Sequence, residues 1–380
     1  MSGYDIPFNR PCFVGKELDY IAEAIELGHI SGDGTFTKKC RALLERALGV
    51  PKVLLTTSCT HALEMAALLL DLEDGDEVIV PSFTFVSTVN AFVLHGARPV
   101  FADIRPDTLN MDEQQLRGLI TPRTKAIIPV HYGGVGCEMD VIVPLAKEHG
   151  ATVVEDNAHG LFGTFKGRFL GTFGSLATQS FHETKNFTCG EGGALLVNDP
   201  ALVPRAEVLR EKGTDRSRFF RGEIDRYTWI DVGSSYVLSD VLAAFLYAQL
   251  EGRERILAAR RRLWEGYYDR LEEWAGDRGV RLPTVPDHCR HPYNMFYLIL
   301  PSLEIRQALI QHMKDRGILS VFHYLPLHLS EMGSRFGGKK GDCPVTEDVS
   351  DRILRLPFYN ELGERGQARV VEGLLDFEGL

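Results

Sequence analysis

The chain has 380 residues, 44% of them hydrophobic and 25% charged, and a formal charge of −10, which suits a globular protein of two domains and argues against nonspecific nucleic-acid binding. Seven cysteines stand singly (Cys12, Cys40, Cys59, Cys137, Cys189, Cys289, Cys343), with neither CxxC pairs nor zinc spacing, so reduced thiols are expected rather than disulfides or a metal site. The opening MSGYDIPFNRP lacks a signal-peptide core and no apolar run approaches a membrane span, so a soluble, cytoplasmic protein without membrane partners is expected.

From about residue 50 to 200, strand-like and helical runs alternate. THALEMAALLLDL (60–72) predicts a helix that is apolar nearly all round and therefore buried. Its start, SCTH, offers free backbone N–H groups, the positive end of the helix dipole and the hydroxyls of Ser58 and Thr60. That combination suits a phosphate, although simple N-capping by Ser58 or Thr60 explains the same residues. EVIVPS (77–82) predicts a strand, and the Phe83 and Phe85 that follow point the same way. One of these rings is placed to stack on a flat heterocycle, and the other belongs to the core.

TVNAFVLHG (88–96), DEQQLRGLI (112–120) and VIVPLAKEHG (141–150) predict helices. RPVFADI (98–104), KAIIPVH (125–131), ATVVEDN (151–157), ATQSF (177–181) and GALLVND (193–199) predict strands. Strands that are apolar throughout, alternating with helices, predict a mainly parallel sheet covered on both faces, with ligands gathering at its strand ends. Asp156 ends one strand there and needs a partner, either a protonated ring nitrogen or an arginine. His159, three residues on, can approach the same ligand or simply bond within its loop.

Lys185 in SFHETKNFTCGEGG (180–193) lies between a buried strand and the turn-forming Gly190, Gly192 and Gly193. Desolvation there lowers an amine toward the range useful for Schiff-base chemistry, whereas a surface loop lysine is the plain alternative. From residue 239 the texture changes: SDVLAAFLYAQLEGRERILAARRRLWEGYYDRLEEWA predicts one long helix or two in sequence. Then MFYLILP (295–301) and ILSVFHYLPLH (318–328) read as strands bracketing the helix EIRQALIQHMKDRG, a small α+β unit. We place the boundary inside the long helix, giving a large domain over 1–250 and a small one over 251–380.

A phosphate cradle, an aromatic stacker, a strand-end aspartate and a lysine after a serine together provide each contact that pyridoxal 5'-phosphate needs. Neither GxGxxG nor GxxxxGKS occurs, which excludes the common nicotinamide and P-loop signatures.

At these residues the chain resembles the sugar-nucleotide aminotransferases of the DegT/StrS type, pyridoxal-phosphate enzymes of fold type I, over essentially its whole length. SCTHALEMA, GDEVIVPSFTFVST, VVEDNAHG, SFHETKN, GEGGAL and YLPLH stand in family order. The resemblance implies an α/β large domain with a mainly parallel seven-stranded sheet plus a small C-terminal α+β domain. It implies that Lys185 carries the cofactor aldehyde and shuttles the proton, and that Asp156 keeps the ring nitrogen protonated. His159 would sit beside the ring hydroxyl and Phe85 would stack on the ring, with Phe83 the weaker choice. Thr60, His61 (through its backbone N–H) and Ser180 would bind the phosphate. The family often carries Asn where GSSYVLSD has Ser235, a residue that reaches the cofactor of the neighbouring subunit; a homodimer with sites at the subunit interface follows.

The stretches FNRP, FFRGEIDRYTW and GSSYVLSD are similar to members that aminate C4 of dTDP-4-dehydro-6-deoxy-D-glucose for enterobacterial common antigen, using L-glutamate. The alternative is amination at C3 of a dTDP-3-keto-6-deoxyhexose, which spacing alone does not separate from C4. The nucleotide diphosphate needs cations, and Arg216, Arg218, Arg221 and Arg226 offer them or else serve a solvated or dimer-stabilising surface, Arg218 and Arg221 being our choices. Tyr324 and His328 of HYLPLH would approach the sugar, with His323 structural.

Overall fold

A computed structural model describes residues 3–380. Its centre is a seven-stranded sheet of β1 (Lys52–Thr56), β2 (Glu77–Pro81), β3 (Arg98–Ala102), β4 (Thr124–Ile127), β5 (Thr152–Asp156), β6 (Leu176–Ser180) and β7 (Gly193–Val197), in the order β1-β7-β6-β5-β4-β2-β3. From β3 to β6 every pairing is parallel; β7 runs antiparallel to both β6 and β1. The residues dictate this arrangement, because β2 and β7 are buried at every position and need cover on both faces.

One face packs against helices Glu17–Glu26, Thr35–Leu48 and Asp240–Glu251, through a core that includes Phe36, Leu44, Phe181 and Leu246. The other packs against α1 (Cys59–Leu69) and α2 (Val86–Val93), where Met65, Ala66 and Phe92 are fully buried. The six strands expected between residues 77 and 199 are all present. The seventh, β1, is a KVLLT run with only three apolar residues that leads directly into the SCTH turn, and the sequence reading did not assign it. The helix expected over 112–120 shrinks to Leu116–Leu119.

Six strands end at one edge of the sheet and β7 begins there, with Gly193 paired to both Thr56 and Ser180. That edge collects the end of β5 at Asp156, the end of β6 at Ser180 and the N-terminus of α1.

The long helical stretch breaks at Gly252, between Asp240–Glu251 and Arg253–Asp277. Beyond it, β8 (Tyr297–Ile299) pairs antiparallel with β9 (Ile353–Arg355), and helices Leu303–Asp315 and Gly363–Leu375 cover the pair. The expected second strand over 318–328 is not a strand. It is an extended segment held by isolated bridges at Ile318 and Val321, and Pro326 removes a backbone donor before the turn Leu327–Leu329. The N-terminal Ile6 is buried in the C-terminal core and bridges Ile318, so the start of the chain crosses the expected division of domains. No helix among the described residues is long and apolar enough to cross a membrane.

Candidate active site

At the strand-end edge, where the C-terminal unit meets the sheet, lies a cavity of about 790 Å³. Thr60, Phe85, Asp156, His159, Ser180, Lys185 and Tyr324 all line it, although they come from segments scattered over the chain. One end is built from two helix starts. Ser58 caps α1, its hydroxyl accepting the His61 N–H at 3.1 Å, and the Thr60 hydroxyl donates to Ser87 in the first turn of α2 at 2.8 Å. Helix starts direct unpaired N–H groups and positive potential into this end, the arrangement a phosphate requires. A Cβ at Gly193 would collide with the backbone of Ser58 and Cys59, so only glycine lets β7 pass this close to the start of α1.

Asp156 lies deeper. Its Oδ2 accepts the Thr88 hydroxyl at 2.7 Å, and its Oδ1 accepts the Ala158 N–H at 3.1 Å. Thr84 contacts the Thr88 hydroxyl in turn at 2.9 Å, which extends the chain to the segment just before α2. No arginine or lysine pairs with Asp156 among the described residues, so its charge remains available to a ligand cation. Beneath it, Glu155 accepts the N–H groups of Gly171, Phe173 and Gly174 and a bond from His131 at 2.8 Å. That network fixes the strand on which Asp156 sits.

Lys185 rests on a loop joining the adjacent antiparallel strands β6 and β7. The loop is tied across by Phe181 N–H to Gly192 O (2.8 Å), Cys189 N–H to Phe181 O (3.0 Å) and Glu183 N–H to Gly190 O (2.9 Å). Gly190 has φ of +86°, a left-handed turn that glycine adopts without strain. Burial lowers the Lys185 amine to about 8, opposed by Cys59 and Asp156 and aided by the charge of Arg355. A half-exposed surface lysine would not behave this way.

His159 is buried, and its Nδ1 accepts the Gly133 N–H at 3.3 Å, which leaves the proton on Nε2. Burial, then the charges of Lys185 and Arg355, hold it neutral, well below the usual imidazole range. Phe83 is 1% exposed and packs against Tyr132 and Tyr324, whereas Phe85 on the cavity wall is 56% exposed. The core ring and the free ring are thereby distinguished.

Residues 11–375 match the DegT/DnrJ/EryC1/StrS aminotransferase family. The chain belongs to that family. It is 35% identical over 368 residues to GDP-perosamine synthase of Caulobacter vibrioides, covering 96% of each chain. It is 31% identical to the spore coat polysaccharide biosynthesis protein SpsC of Bacillus subtilis, covering 98% of this chain and 96% of that one. Among solved structures, the aminotransferase TlmJ from Streptoalloteichus hindustanus superimposes with a TM-score of 0.88 at 31% identity, covering 97% of each chain. Spr1654 from Streptococcus pneumoniae, described as a sugar aminotransferase and solved in its PMP form, has a TM-score of 0.90 at 26% identity and covers 97% and 96%.

The protein is thus a pyridoxal-phosphate-dependent sugar aminotransferase of the DegT/DnrJ/EryC1/StrS family. The residues on the cavity wall fit the cofactor: helix starts and hydroxyls for the phosphate, an unpaired strand-end carboxylate for the ring nitrogen, a free aromatic face, and an amine of lowered basicity. Bound pyridoxal phosphate supplies the aldehyde and the electron-withdrawing ring that amino transfer requires.

Other expected residues lie elsewhere. His328 is fully buried away from the cavity, its Nδ1 2.6 Å from the Ser82 hydroxyl and its Nε2 3.1 Å from Glu347, so it joins the sheet to the C-terminal unit and does not reach a sugar. The ring of His61 bonds the Thr57 hydroxyl and packs on Tyr236, while its backbone N–H is taken by the Ser58 cap, so neither faces the cavity. Arg218 pairs with Glu223, and Arg221 with both Glu207 and Glu223, outside the cavity; their charges are already matched. Arg216 pairs with Glu211. Ser235 lies exposed on the surface loop before helix Asp240–Glu251 and does not line the cavity. His323, expected on a strand, occupies the extended segment, where its Nδ1 bonds the Tyr132 hydroxyl at 2.7 Å and its ring stacks on Tyr324 at 3.6 Å.

Among the cavity residues that the sequence reading does not single out are Thr88, Asn294 and Arg355. Thr88 sits within the helix that follows Phe85, where an inward hydroxyl was a readable signal. Asn294 donates to Asn186, the residue after Lys185, at 3.1 Å, a pairing across 108 residues that sequence spacing does not display. Arg355 interrupts the apolar run ILRLP, and a lone charge in such a run was the sign available.

Proposed function

We propose that the protein transfers the amino group of L-glutamate to C4 of dTDP-4-dehydro-6-deoxy-D-glucose, giving dTDP-4-amino-4,6-dideoxy-D-galactose, as a cytoplasmic homodimer. The observation that carries amino transfer is Lys185, an amine near 8, facing the same cavity as the unpaired Asp156 and the free ring of Phe85. In each half of the reaction Lys185 Nζ moves one proton: it takes that proton from Cα of glutamate and later delivers one to C4 of the sugar. Asp156 Oδ holds positive charge at the ring nitrogen, and Thr88 orients that carboxylate. His159, neutral with its proton on Nε2, offers a donor without adding charge.

The C4 assignment rests on the likeness of FFRGEIDRYTW and GSSYVLSD to C4 aminotransferases. The same surface supports a dimer: Phe220 is 70% and Trp229 77% exposed, large apolar side chains suited to burial against a second subunit. In that assembly Ser235, and the phosphate-contact roles expected of Arg218 and Arg221, would serve the neighbouring site.

The C. vibrioides relative, named for a GDP-linked sugar, favours a second reading in which the nucleotide is GDP. The test is NMR of the product from purified protein, pyridoxal phosphate, L-glutamate and each keto sugar in turn. An axial C4 amine on the dTDP sugar is expected. Turnover of only a GDP-linked 4-keto sugar would move the protein to the second reading, and turnover of only the dTDP-3-keto isomer would overturn C4.

A further inference from the structure

Among the described residues, Arg355 and Lys185 are the lysine and arginine side chains on the cavity wall. Lys185 is committed to the cofactor, which leaves Arg355 as the permanent cation facing substrate. It ends β9, where its N–H donates to Val321 O at 2.7 Å and its carbonyl accepts from Val321 N–H at 3.1 Å, so its backbone is rigid.

Its Nε and Nη2 both converge on the Phe322 carbonyl, at 3.3 and 3.1 Å, and its guanidinium lies 4.7 Å from the Phe8 ring centroid. No carboxylate lies within ion-pair distance of it among the described residues. A guanidinium has five donors in a planar fork, and one backbone carbonyl leaves most of them free for a ligand. Arg355 lines the same cavity as Lys185, His159 and His323, and its charge disfavours protonation of all three.

We propose that Arg355 is the residue that grips a carboxylate of the amino-acid donor. The α-carboxylate of an amino acid is attached directly to the carbon that loses its proton, so its cation belongs on the same inner wall as Lys185. The diphosphate of a sugar nucleotide is attached at C1, across the ring from a reacting C4, and calls for cations farther out. Both substrates use one cavity in turn; the keto sugar carries no anion at its reacting carbon, and the Arg355 donors then face hydroxyl groups. The assignment rests on the amino-acid donor named above and is independent of which sugar is aminated.

The test separates the two half-reactions of the cofactor-loaded protein. Arg355→Gln is expected to raise the L-glutamate concentration for half-maximal reaction, and the calorimetric Kd for glutarate, by roughly 10- to 100-fold. Arg355→Lys is expected to recover part of both, and the keto-sugar half-reaction of the pyridoxamine form is expected to stay within about two-fold. Unchanged glutarate binding, or an equal fall in both half-reactions, would overturn the assignment. A loss confined to the sugar half-reaction would transfer Arg355 to the diphosphate instead. Wild-type protein inert toward every amino acid would sink the donor reading itself, a result visible before any variant is made.

Discussion

The chemistry of the site rests on a few side chains whose surroundings alter their ordinary behaviour. The Lys185 amine, near 8 through burial, is protonated and unreactive below that pH and free above it. Cofactor-free protein mixed with pyridoxal phosphate should therefore take up the aldehyde at a rate that reaches half its maximum near pH 8, followed by absorbance; a rise continuing past pH 10 would contradict it. Between about 8 and the ordinary lysine value of 10.5 the unfolded chain holds a proton that the folded cofactor-free chain has lost. This group accordingly adds stability as pH rises through that window. Lys185→Ala should lower amino transfer by at least about 10³-fold while keeping some cofactor affinity through the phosphate end, measured by turnover and by cofactor retention on gel filtration. Thr88→Val deprives a buried oxygen of Asp156 of its donor, which costs about 1–3 kcal/mol, and should weaken cofactor binding and lower Tm, whereas Thr88→Ser keeps the hydroxyl and should do neither.

At the scale of elements, the meeting of β7 with the start of α1 depends on one missing side chain. Gly193→Ala inserts a methyl group against the Ser58 and Cys59 backbone, and overpacking of this kind costs about 1–3 kcal/mol. A lower Tm and a weaker cofactor Kd are both expected, because the displaced helix start is the phosphate end of the cavity. Strands β2 to β7 were legible because each is a β-branched or apolar run bounded by turn residues, and α1 because it is apolar all round. β1 and β9 were not, since the three apolar residues of one and the two of the other take their strand state from partners far along the chain. The same limit explains the site. Lys185, Asp156 and Phe85 announce themselves locally, by glycines, by a strand end and by alternation. His328 misled because a histidine in a motif reads as functional, while Ser82, which satisfies it, lies 246 residues away. Asn294 and Arg355 acquire their meaning only when the C-terminal unit is laid against the sheet.

For the whole molecule, the exposed aromatic surface around residues 219–232 predicts association. Trp229→Asp should shift the protein toward monomer in analytical ultracentrifugation and lower amino transfer, because in the proposed dimer each site would lose its neighbour's contributions; a dimer unchanged by that substitution would place the interface elsewhere. The pairing of β1 with β7, and of Ile6 with Ile318, also bears on how the chain is made. During synthesis Lys52–Thr56 emerges long before Gly193–Val197, and Ile6 waits for nearly the entire chain before its partner exists. Closing such long loops is slow, and until then two apolar edges stand open to other nascent chains. The lysine loop is the opposite case: the strands on either side of it are neighbours in both sequence and space, so its hairpin can form as soon as it leaves the ribosome. The segment that carries Lys185 is thus a locally folded unit that must wait for the outermost parts of the chain to enclose it, and truncations at either end should aggregate rather than yield a smaller working enzyme.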